Sequence, residues 1–247
     1  METRIYIIGY KPLDYGYWEY EPYCPIQVGY GEPYCRVRDD TGDSRAEWNM
    51  FAAENTATWW IARNAAPSLD IVGQCQYRRR LHFDSPEQVE NIFKNYDVIC
   101  AAPLRMGITV YEQYARCHCE RDIQDAYSVI RKEYPEYIDA YQKYILQGRK
   151  VYYSNSFVLR ASDYVRYNDF LWTVLDGIRE IRGWDTPAAT EKEIKYEIDM
   201  GKRAASRGLR YQTMVGGFLS ERLWTMWVQA NFEGGIYEMQ YTKFEGV

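Results

Sequence analysis

The sequence predicts an α/β fold, a mixed sheet with a helical C-terminal half. Two observations predict it: short β-branched runs alternate with stretches of helical apolar spacing up to about residue 105, and consecutive helical patterns dominate after it. A chain of 247 residues withdraws about 70–75% of its unfolded surface from water, so a core forms without metal or disulfide staples. The expected organisation is a single domain over 1–247, with an α/β part over 1–105 and a mostly helical part over 106–247.

Residues 4–10 alternate and are β-branched, which predicts a first strand stopped by Lys11-Pro12. An aromatic loop punctuated by Gly and Pro runs to about Arg36, and Asp39-Asp40-Thr41-Gly42-Asp43 reads as a tight turn. Residues 47–64 predict one helix, with Trp48, Phe51, Ala52, Trp59 and Trp60 apolar, and 70–77 a strand. Ser85-Pro86-Glu87-Gln88 is a helix start: Ser caps, Pro takes the first helical position and Gln the capping-box place. That helix is expected to end near Asn95, before a buried strand over 96–102. Helices are predicted over 109–118, 120–133 and 135–147, a strand over 150–160, and a helix capped by Ser162 to about Arg182. The charged segment 186–209 reads as a solvated helix or a flap, and 213–230 as a last apolar helix.

A net charge of −5 gives no general attraction to nucleic acid or anionic lipid, so an anion site must be local. No run approaches the ~18 apolar residues that span a bilayer. The amino terminus lacks a small-residue cleavage site and reads as a strand. Six scattered cysteines fit a reduced, cytoplasmic protein, and Cys117-His118-Cys119 lacks the second pair that zinc spacing requires. Tyr 25, Trp 8 and Phe 8 make up 17% of the chain; tyrosine suits core, surface and amphipathic ligands such as sugars or bases.

Three consecutive arginines, Arg78-Arg79-Arg80, directly follow the strand ending at Tyr77. Ligands of α/β sheets sit at the carboxyl ends of strands, and guanidinium forks match phosphate oxygens, so the position suits a diphosphate. A solvated basic turn or an RNA patch has the same composition, although the acidic chain argues against RNA. Carboxylates at Asp39, Asp40, Asp43, Glu54, Asp97 and Glu221 are candidates for metal binding, general base or sugar hydroxyls. Glu221 stands out because it lies between apolar residues beside Arg222, although a half-buried ion pair explains it equally. His118 and Asp122 form an acid/base pair or, more simply, an i,i+4 contact.

Several blocks carry a resemblance: Ile5-Tyr6-Ile7 with Lys11, Pro25-Ile26-Gln27-Val28-Gly29, Asp40-Thr41-Gly42-Asp43, Glu54-Asn55-Thr56-Ala57, Gly73 with Cys75-Gln76-Tyr77-Arg78-Arg79, Tyr96-Asp97-Val98-Ile99, Asn155-Ser156-Phe157 and Gly217-Phe218-Leu219-Ser220-Glu221-Arg222-Leu223. Over nearly the whole chain these resemble a bacterial capsular and exopolysaccharide glycosyltransferase family labelled domain of unknown function 4422. The Tyr-Arg-Arg and Ser-Glu-Arg-Leu blocks are its most specific parts. The resemblance implies a nucleotide-sugar-binding, glycosyltransferase-like mixed sheet and transfer of a hexose, galactofuranose or galactose, from a UDP-sugar to a capsular, exopolysaccharide or O-antigen glycan. If the transfer inverts, the acceptor hydroxyl needs a base, for which Glu221 is the first choice and Asp43 the second. Substrate contacts fall to Tyr10, Lys11, Asp40, Glu54, Gln76, Tyr77, Arg78, Arg79, Asn155 and Arg222. Three positions depart from the pattern: Tyr10 and Gln76 stand where the family usually has histidine, and Met214 where an arginine is expected.

Many such enzymes hold a divalent metal, Mn or Mg, with an Asp-x-Asp pair at a strand end; here that end reads Gln76-Tyr77-Arg78-Arg79. No cofactor and no metal ligand is therefore predicted firmly, and the arginines are expected to take the electrostatic role. The expected partners are a UDP-sugar donor and a glycan or lipid-linked glycan acceptor, with no nucleic acid. The expected place is cytoplasmic, peripheral to the inner face of the membrane. A non-catalytic glycan or nucleotide-sugar binding protein is the alternative class.

Overall fold

A computed structural model describes residues 1–12 and 20–243; residues 13–19 of the expected aromatic loop lie outside them. The chain runs through β1 (Thr3–Gly9), β2 (Tyr23–Gln27) and β3 (Val37–Arg38) into α1 (Asn49–Ala52), α2 (Asn55–Trp60), β4 (Ile71–Gln76) and β5 (Arg79–Leu81). Next come α3 (Pro86–Ile92), β6 (Val98–Ala101), β7 (Leu104–Arg105), α4 (Val110–Cys117), α5 (Glu120–Glu133), α6 (Ile138–Tyr141) and β8 (Lys150–Val151). The remainder is β9 (Phe157–Arg160), α7 (Ala161–Arg182), α8 (Pro187–Asp199), α9 (Leu209–Gln212), α10 (Val215–Asn231), β10 (Ile236–Met239) and β11 (Tyr241–Lys243).

The main sheet has the order β10-β6-β9-β4-β1-β2-β3, with β5 and β11 attached beside β4. β1 is parallel to β2 and β4, whereas β9 runs antiparallel between β4 and β6. The sheet is mixed, as expected. β9 and β10, both from the second half, complete it beside β4 and β6.

The apolar run of β1 is explained by burial on both faces. Tyr6 and Ile8 face a core shared with Phe51, Leu171, Trp224 and Trp227 from the helices, and Ile5 and Ile7 face a smaller one with Phe83, Val89 and Phe93. Gly73 in β4 is required by close packing: a Cβ there would stand 2.9 Å from Val158 Cγ2 and 3.0 Å from Ile5 Cγ1.

Several expectations change. The single helix over 47–64 is broken at Ala53, whose φ of 51° ends α1. The strand expected over 150–160 is split into β8 and β9 by positive φ at Ser154 and Asn155. Arg160, not Ser162, occupies the cap position of α7. Ser85 occupies the cap position of α3 with Pro86 behind it, but its side chain makes no cap hydrogen bond, and Gln88 accepts from the N–H of Asp84 rather than that of Ser85. Strands β2, β3, β5, β7, β10 and β11 lie outside the strands expected from the sequence.

The segment 186–209 is neither solvated throughout nor a loose flap. It forms α8, and its Glu197 and Arg203 are buried. Arg203 donates to both oxygens of Asp122 in α5 at 2.8 and 2.7 Å, and Arg182 at the end of α7 donates to Asp122 at 3.1 Å and Glu197 at 2.7 Å. Two arginines and two carboxylates thus staple three helices together. No helix among the described residues is long and apolar enough to cross a membrane.

Candidate functional site

Because β1, β2, β3 and β4 are parallel, their carboxyl ends share one edge of the sheet; the antiparallel β9 enters at that same edge. Loops leaving such an edge form the crevice where α/β proteins bind ligands.

Glu54 is delivered to this edge by the break at Ala53. The start of α10 packs closely on the break: a Cβ on Gly217 would stand 2.9 Å from Ala53 Cβ, and one on Gly216 3.1 Å from Phe51 O. Glu54 occupies the cap position of α2 yet caps nothing. Its Oε1 instead accepts from Gln76 Nε2 at 2.9 Å and Asn155 Nδ2 at 2.8 Å.

Ser154 and Asn155, at φ of 74° and 44°, form a buried strap between β8 and β9. Backbone in this region is costly for residues other than glycine and collects at functional sites. The strap is held from beneath by Gln74 of β4, whose Nε2 donates to Asn155 O at 2.9 Å. Asn155 Nδ2 also reaches Ser220 Oγ at 2.8 Å.

The backbone N–H of Ser154 donates to Glu221 Oε1 at 2.7 Å, and Arg222 donates to Glu221 Oε2 at 2.8 Å. Burial pushes the Glu221 carboxyl up, and the negative charge of Glu54 adds to this; Arg222, the Ser154 N–H and Arg79 oppose it. The Glu221 side chain remains 15% exposed. Arg222 is itself 2% exposed, spanning from Glu221 to Gln113 Oε1 at 2.5 Å. It therefore orients Glu221 from behind rather than facing the crevice.

Tyr77 and Arg78 turn between β4 and β5, so that Arg79 pairs with Gln76. Arg78 is exposed at the tip, its guanidinium 5.0 Å from the Tyr77 ring. Tyr10, 54% exposed, meets Tyr77 edge-on at 5.3 Å, and Lys11 Nζ lies 5.9 Å from the same ring. Arg80 departs to the smaller core, 4.9 Å over the ring of Tyr23.

Thus Glu54, Gln76, Asn155, Glu221 and Arg222 are brought together, with Arg79 close enough to act electrostatically on Glu221, and Tyr10, Lys11 and Arg78 form the neighbouring lip over Tyr77, which is itself buried in the smaller core rather than facing a ligand. Asp40 is bound by Arg38 Nε at 2.9 Å. Asp43 Oδ1 accepts from Trp59 Nε1 at 2.8 Å, and the Asn64 side chain clasps its backbone at 3.0 and 2.8 Å. No described hydrogen bond or ion pair links either aspartate to the Glu54–Glu221 cluster. Buried Asp39 accepts from Gly29 N at 2.8 Å and Thr56 Oγ1 at 2.6 Å; burial pushes its carboxyl up to about 6. Ser154, Gln74, Ser220 and Gln113 were missed by sequence reasoning. Only the Tyr152-Tyr153-Ser154-Asn155 interruption of a strand-like run signalled the strap.

His118 does not contact Asp122 as expected among the described residues. Its ring stacks on Phe218 at 3.9 Å, while Asp122 is taken by the arginines and by Tyr114 OH at 3.2 Å. Cys119, Asp122 and Glu197 place ligand-type atoms within 4.8 Å of one another. Those carboxylates already neutralise Arg182 and Arg203, and two guanidinium groups at the spot do not fit a cation.

The profile of a family described as Domain of unknown function (DUF4422) matches residues 4–232. No curated protein matches the chain. Among solved structures, the apo structure of WbbM, described as a bifunctional glycosyltransferase, is similar at a TM-score of 0.74 and 24% identity over 99% of this chain. That match covers 45% of the WbbM chain, so the present chain spans less than half its length. At this identity the likeness shows the fold, a mixed α/β sheet with flanking helices.

Proposed function

This chain belongs to the DUF4422 family, and on that premise we propose that it is a glycosyltransferase moving a hexose, galactofuranose or galactose, from a UDP-sugar to a capsular, exopolysaccharide or O-antigen glycan. One observation carries the reading: two carboxylates, two amides and an arginine converge at the carboxyl edge of a sheet that shares its fold with a glycosyltransferase.

Glycosyl transfer separates charge. The anomeric carbon becomes oxocarbenium-like as the diphosphate leaves and gains negative charge. Arg78 and Arg79 follow directly on β4, where guanidinium groups meet a diphosphate in bidentate geometry. A preorganised donor of this kind contributes about 3–4 kcal/mol of transition-state stabilisation. Tyr10 supplies exposed flat surface for the nucleobase, backed edge-on by the buried Tyr77 and with Lys11 beside it. Gln76 and Tyr77 stand where a metal-binding Asp-x-Asp pair is usual, so the arginines take the cationic role. The acceptor is a glycan or lipid-linked glycan, met by a cytoplasmic protein at the inner face of the membrane.

Thermal shift and calorimetry with UDP, GDP and CMP, each with and without manganese, test the reading. A ligand at 100 times its Kd adds about 2.7 kcal/mol of stability. The expected result is stabilisation specific to UDP, independent of manganese and lost in Arg79→Ala. Absence of any nucleotide response, with no UDP released from UDP-sugars, would overturn it in favour of a glycan-binding protein.

A further inference from the structure

Glu54 and Glu221 are both at the crevice, but their oxygens are not equally available. Both oxygens of Glu221 are engaged, Oε1 by the Ser154 N–H and Oε2 by Arg222. Glu54 is anchored through one oxygen alone, Oε1, which takes both Gln76 Nε2 and Asn155 Nδ2. Its Oε2 takes no hydrogen bond among the described residues. A general base needs a fixed carboxylate with an uncommitted lone pair, and Glu54 has that arrangement.

The surroundings point to the same residue. Among the described residues, four besides glycine have positive φ, and three of these, Ala53, Ser154 and Asn155, adjoin Glu54 or lie in the strap that grips it. Strained backbone gathered around one carboxylate indicates that its placement is maintained for chemistry rather than for folding.

We propose that Glu54 is the general base of the transfer, accepting the acceptor hydroxyl proton on Oε2, while Glu221 is a fixed negative group that Ser154 and Arg222 hold beside the reacting carbon. The inference rests on the glycosyltransferase reading above. In the step, the acceptor O–H proton passes to Glu54 Oε2 as its oxygen bonds to the anomeric carbon. The anomeric C–O bond breaks and its electron pair leaves on the terminal phosphate oxygen of UDP. Glu54 then returns the proton to solvent. One displacement of this kind inverts the anomeric configuration.

The test uses the full chain with UDP-galactose and UDP-galactofuranose, following UDP release, the Kd for UDP and the configuration of the first-formed sugar by proton NMR. Glu54→Gln retains an oxygen for both amides and removes the free carboxylate oxygen. The expected result is a turnover loss of about 100-fold or more, a UDP Kd within about threefold of wild type, and an inverted product. Glu54→Asp, which restores a carboxylate, is expected to recover about tenfold over Glu54→Gln. Turnover of Glu54→Gln within about threefold of wild type, equal losses in Gln and Asp variants, or a retained configuration would overturn the base assignment while UDP binding left the wider reading standing. Failure of the wild type to bind UDP or turn over either donor would overturn both.

Discussion

Asn155 Nδ2 donates at 2.8 Å to Glu54 Oε1 and, at the same distance, to Ser220 Oγ, so a single buried amide couples the break after α1 to the body of α10. Removing it takes one of two donors from each acceptor, since Glu54 Oε1 keeps Gln76 and Ser220 Oγ keeps Asn55; a hydrogen bond to a carboxylate is worth about 1.5–3 kcal/mol and one between neutral groups about 0.5–1.5 kcal/mol. Asn155→Ala also keeps the left-handed backbone while losing the residue type that tolerates it. The expected outcome is a loss of about 2–4 kcal/mol in denaturant unfolding. A loss under about 0.5 kcal/mol would show that the amide does not hold the strap.

Gly217 allows the start of α10 to lie against the Ala53 break. A methyl at this position would stand 2.9 Å from Ala53 Cβ, a rigid neighbour, so the helix or the break must shift. Gly217→Ala is expected to cost about 1–3 kcal/mol and to displace Glu221 relative to Glu54. Melting temperature and turnover should therefore fall together, and an unaltered melting temperature would show that the contact has slack.

These dependences explain what could be read in advance. The strand at β1 was legible because it is buried on both faces, and α5 falls on residues 120–133 as its apolar spacing indicates. Phe51-Ala52-Ala53-Glu54-Asn55 is a helix-compatible string, and nothing local announces the reversal at Ala53. The helix that packs against it does so through two glycines more than 160 positions away in the chain. Glu54, Gln76, Asn155 and Glu221 were identifiable as residue types, but the Ser154 N–H that grips Glu221 is backbone and carries no sequence signal. Asp40 and Asp43 make their hydrogen bonds within their own turn and its neighbours rather than with the Glu54–Glu221 cluster, and turns favour the same aspartates that active sites use. The charges of 186–209 read as solvated because their partners, Asp122 and Arg182, lie in other helices.

That buried ionic group also has a measurable cost of disruption. Asp122, at 0% exposure, accepts from both Arg182 and Arg203, and neither guanidinium can reach water. Asp122→Ala leaves buried Arg203 facing Glu197 alone, while Arg182 keeps Asp125, Glu193 and Glu197, and breaking a buried pair costs about 3–5 kcal/mol. Limited proteolysis should then cut first within 186–209. Resistance equal to wild type there would show that apolar packing, not the ion group, seats α8.

His118 supplies the pH dependence. Burial, reinforced by the charges of Arg222, Arg203 and Arg207, depresses its imidazole to about 3, while a favourable contact from Gln212 opposes them. An unfolded histidine titrates near 6.5. The unfolded chain therefore binds a proton that the folded chain refuses between those values. Stability is complete above about pH 6.5 and falls as pH falls, by about 1 kcal/mol per unit. His118→Phe preserves an aromatic ring against Phe218 and removes the titration. The stability of wild type relative to His118→Phe should decline by about 1–2 kcal/mol from pH 7 to pH 5, with the raised carboxyl of Asp39 contributing equally to both proteins. A difference that does not change with pH would mean that His118 accepts its proton in the folded state.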